Sequence, residues 1–463
     1  MDRWLAAALE YLPRWLEFQM RQTEQPGLSL AVVHQGKPVL TAAFGHADRA
    51  RGTALTPQHS FRVASQSKTF TAAALMKLRE QGRLQLDDPI GRHLPDLHPD
   101  VAAATLAQLM SHSAGLMRDG RDSGQWVERR AFLDETELLA DLADGTTIEG
   151  NTRFKYSNHG YGLLGQAIEA ITGEPYRDFV AREVVAAAGL KDTFVDVPAA
   201  GAATLNLASG HSTKWPLGER LVIPATMDTR SLSAATGFIS TASDLARYFA
   251  SLSPLAKKSV LSVASRREMT RRQWREPHAS VERWYGLGTM QGTLGAWDWF
   301  GHTGGFPGTL TRTACVPSQG LAISMLTNAA DGLSQAWTDG ALHLLQAFAK
   351  HGAPSRRAVA WTGRWWSLWG AVDLLAMNDK ALVANPALLN PVQDATELEL
   401  QGRDRQGVDR GRIVLANGYG AHGEPVALKR DARGQAASFQ LAGNLLLPEA
   451  AVVKELKGRY GAR

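Results

Sequence analysis

Phe61-Arg62-Val63-Ala64-Ser65-Gln66-Ser67-Lys68-Thr69-Phe70 places a hydroxyl at Ser65 and an amine at Lys68, three residues apart. The spacing of apolar residues after it predicts a helix from Ser65 to about Gln81, ended by Gly82. Because residues three apart share a helix face, the amine can lie over the hydroxyl. A serine at a helix N-terminus also has free backbone N–H groups beside it. The stretch therefore has the parts of an activated serine nucleophile, although this spacing alone often arises by chance.

Size and composition indicate a globular protein with more than one domain. The chain has 463 residues, which exceeds the usual limit of one compact core. Hydrophobic residues make up 44% and charged residues 21%, as in typical globular proteins. The net charge of +5 and the lack of a long basic run predict no nucleic-acid partner. The single cysteine, Cys315, excludes an internal disulfide, and its apolar surroundings predict a core position.

The N-terminal segment, residues 1–24, is only superficially similar to an export signal. Its apolar part, Trp4 to Leu9, stops at Glu10, and no small-residue cleavage site follows. No apolar run reaches the roughly 18 residues that span a bilayer, so no transmembrane segment is expected. The pattern predicts a helix packed on the body and kinked or restarted at Pro13, with attachment to a membrane surface as the alternative. We predict a cytoplasmic protein.

Strand patterns occur at the beginning and the end of the first 350 residues. Between them the sequence is typical of helices and loops, including a short helix within Leu106 to Leu116, and an amphipathic helix follows from Asp331 to about Lys350. This order predicts an α+β fold, with an antiparallel five-stranded sheet, an inserted helical subdomain, and terminal helices over one face. The five predicted strands are Leu28–His34, Pro38–Phe44, Tyr285–Met290, Leu310–Val316 and Leu321–Leu326.

A change of composition near Gly352-Ala353-Pro354-Ser355-Arg356 indicates a domain boundary. Beyond it, short apolar runs separated by glycines and charged residues recur about every ten residues, which predicts a small all-β barrel or sandwich. We therefore predict a first domain at residues 1–350, including the helix in residues 1–24, and a second at residues 357–463. The predicted strands of the second domain are Leu382–Ala384, Glu397–Leu400, Arg412–Leu415, Pro425–Leu428 and Ser438–Leu441.

Two further motifs carry polar groups that suit an activated serine. Tyr156-Ser157-Asn158 lies in a polar, glycine-flanked loop before a predicted helix from about Tyr161 to Thr172. His302-Thr303-Gly304-Gly305 lies before the late strand pair, and its glycines would let the backbone approach a substrate closely. The sequence contains no G-x-S-x-G elbow, no zinc-ligand spacing and no P-loop, so we expect neither a metal nor a cofactor.

Together these motifs resemble the serine β-lactamase and penicillin-binding protein superfamily, particularly the class C-like branch with its D-aminopeptidase- and esterase-like members. The resemblance covers roughly Gln25 to Lys350. Trp361-Thr362-Gly363-Arg364-Trp365 is similar to the opening of the lipocalin-like barrels that some of these enzymes carry, although a shared fold does not assign a ligand. Further matching segments are Leu84–Ile90, Leu109–Leu116, Ser240–Ala246 and Tyr285–Gly288.

The resemblance implies a role for each motif residue. Ser65 would attack a carbonyl and form an acyl-enzyme, while Lys68 and Tyr156 would move its proton. A phenolate beside a cationic lysine and a protonated tyrosine beside a neutral lysine fit the sequence equally well. Asn158 would hold the substrate amide and the Lys68 amine, and the N–H groups of Ser65 and Gly305 would form an oxyanion hole. The other substrate-binding residues would be His302, Thr303 and Gly304; His112, His159 and Asn328 are interpreted as structural.

One departure from the family pattern concerns the substrate. Many members have a lysine where this chain has His302, and an unperturbed histidine is mostly neutral at pH 7. The positive charge that would attract a β-lactam carboxylate is therefore weakened. We predict a serine hydrolase that cleaves a small amide, peptide or ester bond. Its possible substrates include peptides that contain D-amino acids. The alternatives are a true β-lactamase or D,D-carboxypeptidase, and a catalytically silent penicillin-recognition fold used as a binding protein.

The expected partner is a small-molecule or peptide substrate. The second domain could cap the cleft, limit substrate length or mediate oligomerisation, and the sequence does not choose among these roles. The formation of a homo-oligomer through the second domain or the N-terminal helix is therefore one open possibility. The pocket walls implied by the resemblance are the loops around Arg118 to Glu128 and Ser209 to Thr229.

Overall fold

The computed structural model describes residues 1–277, 282–416 and 420–461. The chain divides into two compact units, Gln25–Thr338 and a second unit that joins Met1–Glu24 to Asp339–Arg463. This division places the N-terminal helix with the C-terminal residues, whereas the sequence analysis places it in the first domain. The predicted limits, 1–350 and 357–463, stay a prediction.

The first unit is built on one antiparallel sheet flanked by helices, which confirms the predicted α+β class. The sheet has nine strands within the described residues, where the sequence predicts five. Two of the additional strands are only two residues long, and Trp297–Phe306 contains three glycines, which are depleted in strands. In spatial order the strands are Thr53–Ala54, Lys37–Asp48, Gly27–His34, Leu321–Thr327, Thr309–Val316, Trp297–Phe306, Met290–Leu294, Arg283–Tyr285 and Trp274–Arg275.

The first and last parts of this unit meet in the middle of the sheet. The strand Gly27–His34 is buried along its whole length and pairs with Leu321–Thr327, with Leu28 opposite Thr327 and His34 opposite Leu321. The intervening helical segment is thus inserted between the two halves of the sheet, as predicted. Its helices, together with those at its borders, are Ser67–Glu80, Pro99–Ala102, Leu106–Met110, Glu135–Leu142, Asn158–Thr172, Tyr176–Val180, Ser233–Thr236, Ala242–Leu252 and Val263–Met269.

The helix that follows Ser65 begins slightly later than predicted. Ala64–Gln66 forms a 3₁₀ turn, and the α-helix Ser67–Glu80 continues from it. Gly82 follows the helix with a φ of +71°, so the predicted end is confirmed. The helix runs through the core of the unit, and its alanines at positions 72–74 are fully buried. The turn Ala64–Gln66 is therefore joined to a helix that is packed in the core.

The helix predicted within Leu106 to Leu116 ends earlier, at Met110. His112 and Gly115 have φ values of +59° and +76°, which no α-helix accommodates. A Cβ on Gly115 would lie 2.1 Å from the carbonyl oxygen of Ile148, so the chain needs a glycine at this close contact. The segment 111–116 instead accepts backbone hydrogen bonds from residues 147–155, which lead to Tyr156.

The second unit contains a nearly closed antiparallel barrel, which confirms the predicted β-rich C-terminal region. Trp366 and Leu447 exchange backbone hydrogen bonds of 2.8 and 2.9 Å, joining the first strand to the residue after the last. Trp361, Trp365 and Phe439 lie in its core. Among the described residues its eight strands are Gly363–Ser367, Gly370–Met377, Lys380–Ala384, Thr396–Arg403, Asp409–Leu415, Pro425–Arg430, Ala436–Leu441 and Asn444–Leu446, and its helices include Arg356–Val359 and Glu449–Tyr460.

The N-terminal helix is a single helix, Arg3–Thr23, that continues past Pro13. Its apolar face is buried, and the Tyr11 hydroxyl donates a 2.6 Å hydrogen bond to Asp373 of the barrel strand Gly370–Met377. Packing on the protein body is therefore confirmed. No helix in the described parts of the chain is both long and apolar enough to cross a bilayer. The cytoplasmic location stays a prediction.

Candidate active site

The residues predicted from three distant motifs meet at one cleft of about 740 Å³ in the first unit. Lys68 is completely buried beneath this cleft, against the side chain of Ser65. The other predicted residues line the cleft: Ser65, Tyr156, Asn158, His302, Thr303, Gly304 and Gly305. The structure thus brings all eight together, although their chemical roles remain predictions.

Lys68 contacts three oxygen atoms. Its Nζ lies 3.2 Å from Ser65 Oγ, 2.7 Å from Asn158 Oδ1 and 2.8 Å from the carbonyl oxygen of Ala235. Burial lowers the pKa of Lys68 well below its ordinary value, and Asp119 only partly opposes this by favouring the charged form. This shift favours the neutral form of the amine.

Tyr156 lies beside both the nucleophile and Lys68. The Ser65 side chain is close enough to lower the pKa of the Tyr156 phenol, and the Lys68 amine lies 4.8 Å from the centre of its ring. Tyr156 keeps some exposure to the cleft, but burial by the surrounding protein raises its pKa above the ordinary value, and the nearby Ser65 side chain only partly reverses this rise. The two pKa shifts favour a neutral lysine and a protonated tyrosine, one of the two arrangements that the sequence leaves open.

Asn158 is the first residue of the helix Asn158–Thr172, which begins three residues earlier than predicted. The Ser157 hydroxyl caps this helix by accepting a 2.9 Å hydrogen bond from the N–H of Gly160. The cap holds the Asn158 side chain towards Lys68 at the cleft floor. Local capping chemistry therefore positions one of the predicted site residues.

Asp119 orients the Asn158 amide, and it is not among the residues predicted from the sequence. Asp119 Oδ1 accepts hydrogen bonds from Asn158 Nδ2 at 2.5 Å and from Trp126 Nε1 at 3.0 Å, while Arg118 pairs with Oδ2 at 2.9 Å. A carboxylate can only accept, so the NH₂ group of Asn158 must face Asp119 and its oxygen must face Lys68. The only sequence signal was the position of Asp119 in a predicted pocket wall.

His302 lies within the strand Trp297–Phe306. The sequence predicts instead that it lies before the late strand pair. Its Nδ1 donates a 2.6 Å hydrogen bond to the Thr303 carbonyl oxygen, and its Nε2 accepts one of 2.8 Å from the Tyr285 hydroxyl. Burial is the main cause that lowers the pKa of His302 to about 3. The imidazole is thus neutral at physiological pH, in line with the expectation from the sequence, and Tyr285 is a further residue that sequence reasoning did not assign.

Gly304 and Gly305 of this strand have different surroundings. A Cβ on Gly304 would lie 2.1 Å from the Val63 carbonyl oxygen, so the strand can approach the turn before Ser65 only because residue 304 is glycine. Gly305 is exposed in the cleft, and its added Cβ would meet only the Leu310 side chain, at 3.2 Å. Gln66 Nε2 also donates to Thr311 Oγ1 across the same contact, at 2.9 Å.

The remaining cleft walls combine aromatic surface with paired charges. Two ion pairs contribute to the wall, Arg118 with Asp119 at 2.9 Å and Arg283 with Glu276 at 3.1 Å. The predicted wall around Arg118 to Glu128 is confirmed for residues 118, 119 and 126. No described residue between 209 and 229 lines the cleft. The apolar lining includes Trp126, Phe154, Tyr285, Met290 and Phe306.

Comparison with known proteins agrees with this architecture. Residues 12–348 match the family model described as Beta-lactamase, and the chain belongs to this family. A stretch of 169 residues is 27% identical to Protein flp of Staphylococcus aureus strain COL, covering 36% of this chain and 34% of that protein. The match thus spans about a third of the length of this curated relative.

Solved structures extend the likeness in fold. The octameric penicillin-binding protein homologue from Pyrococcus abyssi aligns over 95% of this chain and 99% of its own, with a TM-score of 0.66 and 20% identity. The D-amino acid amidase from Ochrobactrum anthropi SV3, in complex with L-phenylalanine amide, aligns over 74% of this chain and 98% of its own, with a TM-score of 0.63 and 24% identity. The resemblance to the β-lactamase and penicillin-binding protein superfamily is confirmed.

Proposed function

We propose that this chain is a serine hydrolase that forms an acyl-enzyme at Ser65 and cleaves a small amide, peptide or ester bond. The observation that carries the proposal is that Ser65 Oγ lies 3.2 Å from Lys68 Nζ and that Ser65 and Tyr156 line the same cleft, close enough for Ser65 to lower the pKa of Tyr156. Acyl transfer needs a nucleophile that is close to both a proton acceptor and a proton donor, and Lys68 and Tyr156 would supply these to Ser65.

The pKa shifts assign a direction to the proton transfers. Neutral Lys68 takes the proton of Ser65 as Oγ bonds to the carbonyl carbon, and the carbonyl oxygen becomes an oxyanion. The N–H groups of Ser65 and Gly305 are proposed to stabilise this oxyanion; removing one such donor typically reduces the rate about 10²- to 10³-fold. The bond to the leaving group then breaks, and Tyr156 protonates the departing nitrogen or oxygen. Water then attacks the acyl-enzyme ester and gives its proton to Tyr156. Protonated Lys68 returns a proton to Ser65 Oγ, and the acid is released.

The substrate class is proposed from the charges of the cleft. His302 is neutral, and both of its ring nitrogens are hydrogen-bonded. The charged side chains Arg118 and Arg283 are each paired with a carboxylate. Among the described residues that line the cleft, a β-lactam carboxylate therefore meets no unpaired cation beside Ser65, which supports a neutral amide or ester over a β-lactam. The likeness to a D-amino acid amidase and to a D-stereospecific amidohydrolase from Streptomyces sp. supports testing D-configured amides first.

A panel of p-nitroanilides and p-nitrophenyl esters in both stereochemical series tests this proposal, with nitrocefin alongside. We expect turnover of at least one amide or ester and little turnover of nitrocefin. Ser65→Ala should lose the activity while keeping the thermal midpoint of the parent. Nitrocefin turnover that rivals the best ester would favour the β-lactamase alternative, and no turnover of any substrate would favour a binding protein.

A homo-oligomer is proposed only from likeness to a protein described as octameric. Light scattering of the purified chain tests it against the 50.1 kDa mass of one copy. A mass of one chain at micromolar concentration would reject it.

A further inference from the structure

His112 combines two locally unfavourable features beside the proposed active site. The residue is almost completely buried, and its backbone has a φ of +59°, in the left-handed region that few side chains adopt. Among the described residues, its Nε2 has no hydrogen-bond partner. Buried polar atoms without partners and left-handed non-glycine residues are rare, and both concentrate at functional sites.

The contacts of His112 surround Tyr156 from three sides. The His112 carbonyl oxygen accepts a 2.7 Å hydrogen bond from the N–H of Lys155, and its Nδ1 accepts one of 3.1 Å from the N–H of Ser157. Its ring lies against the Tyr156 ring, with a centroid distance of 4.0 Å and a tilt of 35°. One residue thus binds the backbone on both sides of Tyr156 and packs against its aromatic face.

From this geometry we propose that His112 is a positioning residue, which holds the Tyr156 hydroxyl at Ser65. The inference rests on the proposed function, in which Tyr156 transfers protons. It differs from the interpretation of His112 as a general loop anchor, because it requires that the effect of His112 on the reaction passes through Tyr156.

The contacts also define the form of the imidazole. Because the Ser157 N–H donates to Nδ1, that nitrogen must carry a lone pair, and the proton resides on Nε2. Burial lowers the pKa of His112 well below its ordinary value, so Nδ1 stays an acceptor. A substitution that keeps an acceptor at this place should therefore keep the position of Tyr156.

Two substitutions separate the effect of the hydrogen-bond acceptor from the effect of the rest of the His112 ring. In His112→Asn the amide oxygen can take the place of Nδ1, and asparagine tolerates the left-handed backbone. In His112→Gln the amide lies one carbon further out and misses the Ser157 N–H. We expect H112Q to reduce kcat/KM for a p-nitrophenyl ester about 100-fold, and H112N to reduce it less than about fivefold. His112→Ala replaces H112Q if glutamine lowers the thermal midpoint below the assay temperature.

His59 provides a matched control. It is also buried, and its Nδ1 also accepts a backbone hydrogen bond, from the N–H of Thr56 at 3.0 Å, but it does not line the cleft. His59→Gln should keep the activity of the parent within about twofold. An equal loss of activity in H59Q and H112Q would show a general effect of disturbing a buried histidine and would contradict the proposal.

A double-mutant cycle with Tyr156→Phe tests the proposed coupling directly. If His112 acts through the Tyr156 hydroxyl, H112Q should cost less than about threefold in the Y156F background. A loss of about 100-fold in both backgrounds would mean that the role is independent of Tyr156 and would overturn the inference. So would parent-like activity of H112Q, or a folded H112N as impaired as H112Q. A parent protein with no hydrolytic activity would instead reject the proposed function itself.

Discussion

The Nζ of Lys68 lies 3.2 Å from the Oγ of Ser65. The two other hydrogen-bond partners of the amine, Asn158 and Ala235, determine how it is oriented in this contact. The oxygens of Asn158 and Ala235 can only accept, and a neutral amine has two N–H groups to give them. Its lone pair is then left to face the Ser65 hydroxyl. In the proposed mechanism this lone pair accepts the Ser65 proton, and the orientation of Asn158, fixed by Asp119, is part of the arrangement.

The pH dependence of the reaction should report Lys68. A base acts in its deprotonated form, so kcat/KM should fall as the pH decreases through the lowered pKa of Lys68. The raised pKa of Tyr156 means that its proton is kept beyond pH 10, so no alkaline loss of the acid is expected below that pH. The measurement is kcat/KM for a neutral ester between pH 5 and pH 10.

Two variants identify the titrating group in that profile. Tyr156→Phe should lower the plateau and leave the acid limb in place, whereas Lys68→Arg should abolish the activity, since a guanidinium does not deprotonate in this range. Loss of the acid limb in Y156F would instead assign the titration to a phenolate base.

Removing the charge of Asp119 should alter both the rate and the pH profile. Asp119→Asn no longer fixes the Asn158 amide, and we expect a loss of about ten- to 100-fold in kcat/KM. Because the Asp119 charge raises the pKa of Lys68, its removal should move the acid limb to lower pH. Asp122→Asn, in the same loop but with an exposed side chain, is the control and should match the parent. An acid limb that does not move in D119N would rule out this electrostatic link.

Gly304 and Gly305 of the His302 strand should respond to alanine in different ways. Gly304→Ala places its Cβ against the backbone oxygen of Val63, so we expect a loss of about 1–3 kcal/mol in the free energy of unfolding. Gly305→Ala meets only a flexible leucine side chain and should leave stability nearly unchanged, but its methyl group enters the cleft and should reduce kcat/KM. Denaturant unfolding and ester hydrolysis measure the two effects. Equal stability of the two variants would contradict the close contact at residue 304.

His302 should make the fold sensitive to acid. Its pKa is lowered from 6.5 to about 3 in the folded protein, so between these values the unfolded chain binds a proton that the folded chain does not. The stability contribution of neutral His302 is present above pH 6.5 and is lost as the pH falls towards 3, at up to about 1.4 kcal/mol per pH unit. His302→Gln should show a correspondingly smaller decrease in the free energy of unfolding between pH 6.5 and pH 4. Parallel curves for the two proteins would contradict the burial of a neutral imidazole.

The parts of the site that are encoded locally were predictable from the sequence. Ser65 and Lys68 share one turn, and Tyr156 and Asn158 flank the residue that caps a helix, so their spacing carries the chemistry. The strand that contains His302 was not predicted, because three glycines conceal its extended conformation. Asp119 and His112 contact residues about 40 positions away, which no local pattern records. The protonation states of Lys68 and Tyr156 depend on burial, which appears only once the chain is folded.

The most direct test of the central claim is the mass of the chain after reaction with an active-site phosphonate, followed by mapping of the modified peptide. We expect one adduct per chain, located on Ser65 and absent in Ser65→Ala. An adduct on another residue, or an unmodified Ser65 in folded protein after prolonged exposure to the reagent, would contradict the assignment of Ser65 as the nucleophile.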